Sequence, residues 1–159
     1  MGANIHGSLS FLSLINDMVT FRKIKVIAVD FDSTVVKDEW PWEGEDVPGC
    51  VMVLKKLLKA GHRLILLTQR EHVAQGDCPD VLQIALDWFA ERDIRLWAVN
   101  DNPDADRYFY RARKVYADLY IDDHCVGIPL IPYTNRDGDS SPYVDWNCLD
   151  TWFKDHGYY

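Results

Sequence analysis

Two pairs of acidic residues stand at the carboxyl ends of apolar runs. Asp30 and Asp32 interrupt VIAVDFDSTVV (residues 26–36), and Asp122 and Asp123 close VYADLYIDD (115–123). Carboxylates at such strand-to-loop switches repel one another and are costly to desolvate unless a cation or a shared proton relieves them. If the extended conformation persists through residue 32, Asp30 and Asp32 share a face roughly 6.5 Å apart, twice the strand rise. A further apolar run, RLILLT (63–68), ends in Thr68, and Lys114 immediately precedes the run that carries Asp122. Taken singly, each has a bland reading. Thr68 could cap a turn, Lys114 could be a solvated surface lysine, and Asp122 and Asp123 could open a loop. Their joint order, each beside an apolar strand, is what points to chemistry.

The elements that must position these groups are legible from periodicity. Val26, Ile27, Ala28 and Val29 read as a strand buried on both faces, hence a central parallel strand of an α/β sheet, and ligands bind such sheets beyond the carboxyl ends of the strands. Val51, Leu54, Leu57 and Leu58 recur at helical spacing, with Gly61 as a left-handed cap. Pro79 and Asp80 open a second helix carrying Val81, Ile84, Ala85, Trp88 and Phe89, and IRLWAVN (94–100) supplies another strand. The stretch 100–113 is polar and then helical. GIPLIP (127–132) offers a short strand, and Trp146, Leu149, Trp152 and Phe153 mark a final helix. KDEWPWEGEDVPG (37–49) is acidic and rich in turn residues, with Pro41, Gly44, Pro48 and Gly49 forbidding a long helix.

The order Asp30, Asp32, Thr34, then Thr68, then Lys114, then Asp122 and Asp123 resembles the motifs of the haloacid dehalogenase-like (HAD) superfamily of phosphohydrolases and phosphotransferases, over residues 26–127. The resemblance implies a three-layer, doubly wound parallel α/β sheet, a Rossmannoid core. The thirteen residues at 37–49 leave no room for a substantial cap domain. On this reading residues 1–20 are an extension to which no function is assigned, and residues 21–159 form a single HAD-like hydrolase domain. The implied activity is a phosphatase that cleaves a phosphate monoester through an aspartyl-phosphate. Asp30 would be the nucleophile. Asp32 would protonate the leaving oxygen and then activate water; an aspartate there separates phosphatases and phosphotransferases from dehalogenases and from pumps with threonine at that position. Thr68 would hydrogen-bond a phosphoryl oxygen, Lys114 would neutralise charge, and Thr34 would brace the loop. Magnesium, suited to carboxylates and waters in octahedral geometry, would be held by Asp30 and Asp122, by the main-chain carbonyl of Asp32, and by Asp123 through water or by orienting a neighbour.

Three further residue sets flank these positions. Arg70 could meet an anionic substrate, although an exposed loop arginine is the expected reading. His124 abuts the acidic pair as a supporting or simply exposed histidine. Trp40 and Trp42 could wall the site mouth or pack on the core.

Composition sets the remaining bounds. A chain of 159 residues with 48% hydrophobic residues suits one domain with a sizeable core. No segment approaches the roughly 18 apolar residues needed to span a membrane. The net charge of −8 disfavours nucleic acid as partner. Cys50, Cys78, Cys125 and Cys148 form no CxxC pair, so reduced thiols in a cytoplasmic protein are expected. The resemblance implies a phosphorylated substrate as partner, with a homo-oligomer as one way to cover an open site. Two rivals differ in kind. A phospho-receiver domain also joins an acidic pair to a threonine and a lysine, but its lysine ends the last strand, whereas Lys114 precedes an acidic pair. A non-catalytic binding protein of this fold would not need every position of the pattern filled.

Overall fold

Strands form where the apolar runs are continuous, and helices where they recur every three to four residues. In the computed structural model, which describes residues 24–73, 79–104 and 113–159, β1 (Val26–Val29), β2 (Arg63–Leu66), β3 (Leu96–Val99) and β4 (Leu119–Ile121) build one parallel sheet in the order β3-β2-β1-β4. Helix α1 (Cys50–Lys59) connects β1 to β2, and α2 (Val81–Glu91) connects β2 to β3. A two-stranded antiparallel sheet, β5 (Leu130–Ile131) with β6 (Tyr143–Val144), and helix α3 (Trp146–Asp155) complete the described elements. Residues 1–20, and 105–112 of the stretch expected to be polar and then helical, lie outside the described residues.

The central strands are buried on both faces, as their unbroken apolar runs require. Ile27, Val29, Leu64 and Leu66 join a core with Val53, Leu54 and Leu57 of α1, Ala85, Trp88 and Phe89 of α2, and Trp146 and Phe153 of α3. Ala28 and Ile65, pointing the other way, are also buried. The helix ends follow their expected caps. Gly61, at φ +91°, lies just past α1, and the Asp80 side chain accepts from the Gln83 N–H at the start of α2.

Two expectations need correction. Strand β4 covers only three of the residues between 115 and 123, because Asp118 is diverted to the start of β1: its carboxylate accepts from Val26 N–H at 2.9 Å. In α3 the inward face is Trp146, Asp150 and Phe153, not a stripe that includes Trp152, which is 38% exposed and stacks on His156 instead. Asp150 takes an inward place because it is fully partnered. Lys56 and the Tyr159 hydroxyl each donate to it at 2.7 Å, and Lys154 donates as well.

Burial alone would raise the Asp150 carboxyl, but the hydrogen bonds from Lys154, Lys56 and Tyr159 outweigh it and hold the group well below the ordinary carboxylate range. Asp150→Ala is therefore expected to cost about 2 kcal/mol, the scale of a charge-assisted network that keeps some contact with water. The loss should be complete above about pH 4, where the unfolded carboxylate is ionised, and should shrink only as the pH falls well below that. Urea unfolding midpoints of the two chains across pH would measure it, and equal midpoints at neutral pH would rule it out.

Candidate functional site

The site is assembled by strand ends. Because the four strands are parallel, the residues that follow them emerge on one edge of the sheet: Asp30 after β1, Leu67 and Thr68 after β2, Asn100 after β3 and Asp122 after β4. Strands β1 and β4 are neighbours with Val29 opposite Ile121, and the Asp30 N–H donates to the Ile121 carbonyl at 2.9 Å. Asp30 and Asp122 are thereby brought side by side from positions far apart in the chain.

The extended conformation does not run on to residue 32. The chain turns at once, with the N–H groups of Thr34, Val35 and Val36 all directed to the Phe31 carbonyl and Ser33 at φ +52°. Phe31 plunges into the core between the two aspartates. Thr34 is buried and braces this turn, as expected: its Oγ1 accepts from the Asp123 N–H at 3.2 Å, and its carbonyl accepts from the Trp146 indole at 2.6 Å. The β5–β6 region adds a second brace, since Val144 N–H donates to the Ser33 carbonyl and the Ser33 and Ser141 hydroxyls are 3.0 Å apart.

Asp30 is the electrostatic centre of the cluster. Its burial, opposed by a hydrogen bond from the Phe31 N–H and reinforced by the neighbouring charges of Asp122, Asp32 and Asp123, pushes its carboxyl up to about 7. Asp123 is also raised, chiefly by burial, with His124 acting in the opposite sense and Asp122 in the same one. The ligand atoms of Asp122, Asp123 and His124 all lie within 4.8 Å of one another. His124 itself is exposed and contacts Asp123 at 3.2 Å through Nδ1. Two carboxylates and an imidazole whose ligand atoms lie this close could hold a metal ion, and Asp30 is near enough for the charges of Asp122 and Asp123 to act on it.

Thr68 is held by its backbone. Its N–H donates to Asn100 Oδ1 at 2.8 Å, and its carbonyl accepts from Asn100 Nδ2 at 2.9 Å. The Thr68 hydroxyl accepts from the Arg70 N–H at 3.2 Å, which leaves its own proton to give. Asn100 was not singled out by sequence, although an asparagine directly after an apolar strand, here at φ +48°, is a signal for a left-handed turn.

Lys114 is exposed, with its ammonium 5.9 Å from the centre of the Tyr120 ring. Among the described residues it pairs with none of Asp30, Asp122 and Asp123. Arg70 departs furthest from expectation. It is not an exposed loop arginine but a buried one, 1% accessible, bonded to both oxygens of Asp32 at 2.8 and 2.6 Å. The acceptors that draw it inward lie in distant segments.

Residues 37–49 form a tight hairpin-like loop. Lys37 N–H donates to the Glu45 carbonyl and Val47 N–H to the Val35 carbonyl. A Cβ on Gly44 would stand 1.9 Å from the Lys37 carbonyl oxygen, so only glycine permits this approach. At the tip Trp40 and Trp42 are 54% and 52% exposed on either side of Pro41, not packed into the core.

Among the described residues no helix is long and apolar enough to cross a membrane, and Cys50, Cys125 and Cys148 are free thiols. No protein-family model matches this chain, and no curated protein does. A solved structure, that of a conserved protein from Bacteroides thetaiotaomicron, superposes with a TM-score of 0.62 at 32% sequence identity, covering 84% of this chain and 92% of that one. At that identity and coverage, the chain belongs to the same family as the conserved Bacteroides protein.

Proposed function

We propose that this protein is a magnesium-dependent phosphohydrolase of the haloacid dehalogenase-like type, cleaving a phosphate monoester through an aspartyl-phosphate on Asp30. The observation that carries the reading is the convergence of Asp30, Asp122 and Asp123 where β1 and β4 adjoin, with the Asp30 carboxyl raised to about 7. The strand order β3-β2-β1-β4 reverses direction at β1, which is the place where doubly wound sheets bind ligands. We accordingly read the fold as the three-layer, doubly wound arrangement.

In this reading Asp30, Asp122, Asp123 and the Asp32 carbonyl hold magnesium, which supplies charge stabilisation for the phosphoryl oxygens. Asp30 attacks phosphorus and takes the phosphoryl group as an acyl phosphate. Asp32 gives its proton to the departing oxygen and then takes one from the water that cleaves the acyl phosphate. Thr68 donates a hydrogen bond from its hydroxyl to a phosphoryl oxygen. Lys114 is assigned charge neutralisation on the sequence pattern alone. In this reading the exposed rings of Trp40 and Trp42 cover a small ligand. We also place the protein in the cytoplasm, acting on a soluble phosphorylated substrate, with nucleic acid disfavoured by its acidity.

The test is phosphate release from p-nitrophenyl phosphate and from a panel of phosphorylated metabolites. Sustained turnover is expected with magnesium, none in excess chelator, and little with calcium, whose larger and more variable shell does not hold in-line geometry. A receiver domain would take up phosphate without sustained turnover, and a binding protein would release none. Absence of release from every ester in the presence of magnesium would overturn the reading.

A further inference from the structure

Arg70 spends all of its hydrogen-bonding capacity on three separate segments. Its Nε and one terminal nitrogen donate to the two oxygens of Asp32 at 2.8 and 2.6 Å. The same terminal nitrogen donates to the Trp42 carbonyl at 3.1 Å, and the other to the carbonyls of Pro41 and Val81 at 3.0 and 3.2 Å. A guanidinium has five N–H donors, and each finds an acceptor. The rings of Phe31 and Trp40 lie 4.7 and 5.1 Å from its central carbon. Burying a cation so completely is expensive, and an apolar side chain of similar size fills a core at least as well. Packing alone therefore does not account for an arginine here.

The fork has a more specific consequence. Two parallel N–H groups fix the plane of a carboxylate as well as its position. Each carboxylate oxygen has two acceptor directions; Arg70 occupies one on each, and the others remain available on a side chain that is still 27% accessible. The same guanidinium grips the two carbonyls at the tip of the 37–49 loop, beside the exposed rings of Trp40 and Trp42. We propose that Arg70 is a positioning residue that aims Asp32 and ties it to the tryptophan loop, so that acid and loop take up their places together. This rests on the phosphohydrolase reading above, in which Asp32 serves as the acid.

The test uses the full chain with magnesium and two esters: p-nitrophenyl phosphate, whose leaving group departs without a proton, and glycerol 2-phosphate, whose leaving group requires one. Arg70→Lys keeps the charge but not the fork. It is expected to lower kcat on glycerol 2-phosphate by about thirtyfold or more, and on p-nitrophenyl phosphate far less, within the range that general-acid catalysis spans. When Asp32 is already asparagine, adding Arg70→Lys should change turnover of glycerol 2-phosphate by less than about twofold, because residues acting through one another are not additive. Amide exchange at residues 38–44 should rise in Arg70→Lys while β1 and β2 stay protected. Equal losses on both esters, full multiplicative loss in the double variant, or unchanged loop exchange would each overturn the proposal and leave the phosphohydrolase standing. A wild type inert on both esters would overturn that reading and this role with it. If Arg70→Lys does not fold, Arg70→Gln carries the same comparison, and a chain that folds with neither marks Arg70 as purely structural and overturns the role.

Discussion

Asp30→Asn is expected to abolish turnover and, at the same time, to stabilise the metal-free chain above neutral pH. The first effect follows from losing the nucleophile: kcat should fall by at least about three orders of magnitude, as when other covalent nucleophiles are removed. The second follows from where the carboxylate sits. Burial first, against the hydrogen bond from Phe31 and together with Asp122, Asp32 and Asp123, raises the Asp30 carboxyl from 3.8 to about 7. Between those two values the folded chain holds a proton that the unfolded chain has lost, so wild-type stability falls as the pH rises through that window and is level above it. A difference of roughly three between the two pKa values sets a ceiling on the order of 4 kcal/mol. Asparagine has no such charge to desolvate. In chelator, the stability difference between variant and wild type should be small near pH 4, open up to about pH 7 and stay open beyond it. Magnesium should then stabilise the wild type and leave the variant unmoved, because binding to the folded state alone is what shifts the equilibrium. A difference that stays flat from pH 4 to 8 would rule out the raised carboxyl, and a variant retaining a tenth of the activity would remove Asp30 as the nucleophile.

Local signals made much of the sheet legible in the sequence. The unbroken run of Val26 to Val29 could only be a strand covered on both faces, and Gly61 and Asp80 marked helix ends with mechanisms of their own. Strand β6 is two residues long, too short for any alternation to register. The apolar character of Val115 and Ala117 reads as strand, yet Asp118 is claimed by the amide of Val26 from the neighbouring strand, a partner that no local pattern reveals. Asp150 is the same case in a helix: a charged residue on the buried face is legible only once Lys56 and Tyr159 are known to meet it.

The acidic half of the candidate site was legible for a different reason. Asp30 and Asp122 each follow an apolar run directly, so parallel pairing of those runs is enough to bring them together. Arg70 was not legible, because its setting is made by Asp32, Pro41, Trp42 and Val81, none of which is near it in sequence. A residue two places after a strand is a surface residue on local grounds. What buries it is the return of three other segments to the same point.

Asp32→Asn should separate the two aspartates of the first motif by chemistry and by stability. The amide cannot give up a proton to a leaving oxygen, so kcat on an alkyl phosphate should fall by about two to four orders of magnitude, the span of general acid–base catalysis. On p-nitrophenyl phosphate, whose leaving group needs no proton, the loss should be no more than several-fold. The magnesium requirement should persist, since the ligand assigned at this position is the main-chain carbonyl. Stability should move opposite to that of Asp30→Asn. Asp32 faces a buried cation, and replacing one carboxylate oxygen by NH2 turns a donor of Arg70 against another donor, at a cost of about 1–3 kcal/mol. The charges that act on Asp30 most strongly among the described residues are those of carboxylates, Asp122, Asp32 and Asp123. The same substitution two residues apart is thus expected to stabilise at Asp30 and destabilise at Asp32, measured by urea unfolding in chelator at pH 8. Equal losses on the two esters would show that Asp32 is not the acid. A gain in stability at Asp32 would show that its pairing with Arg70 is not what holds the pair in place.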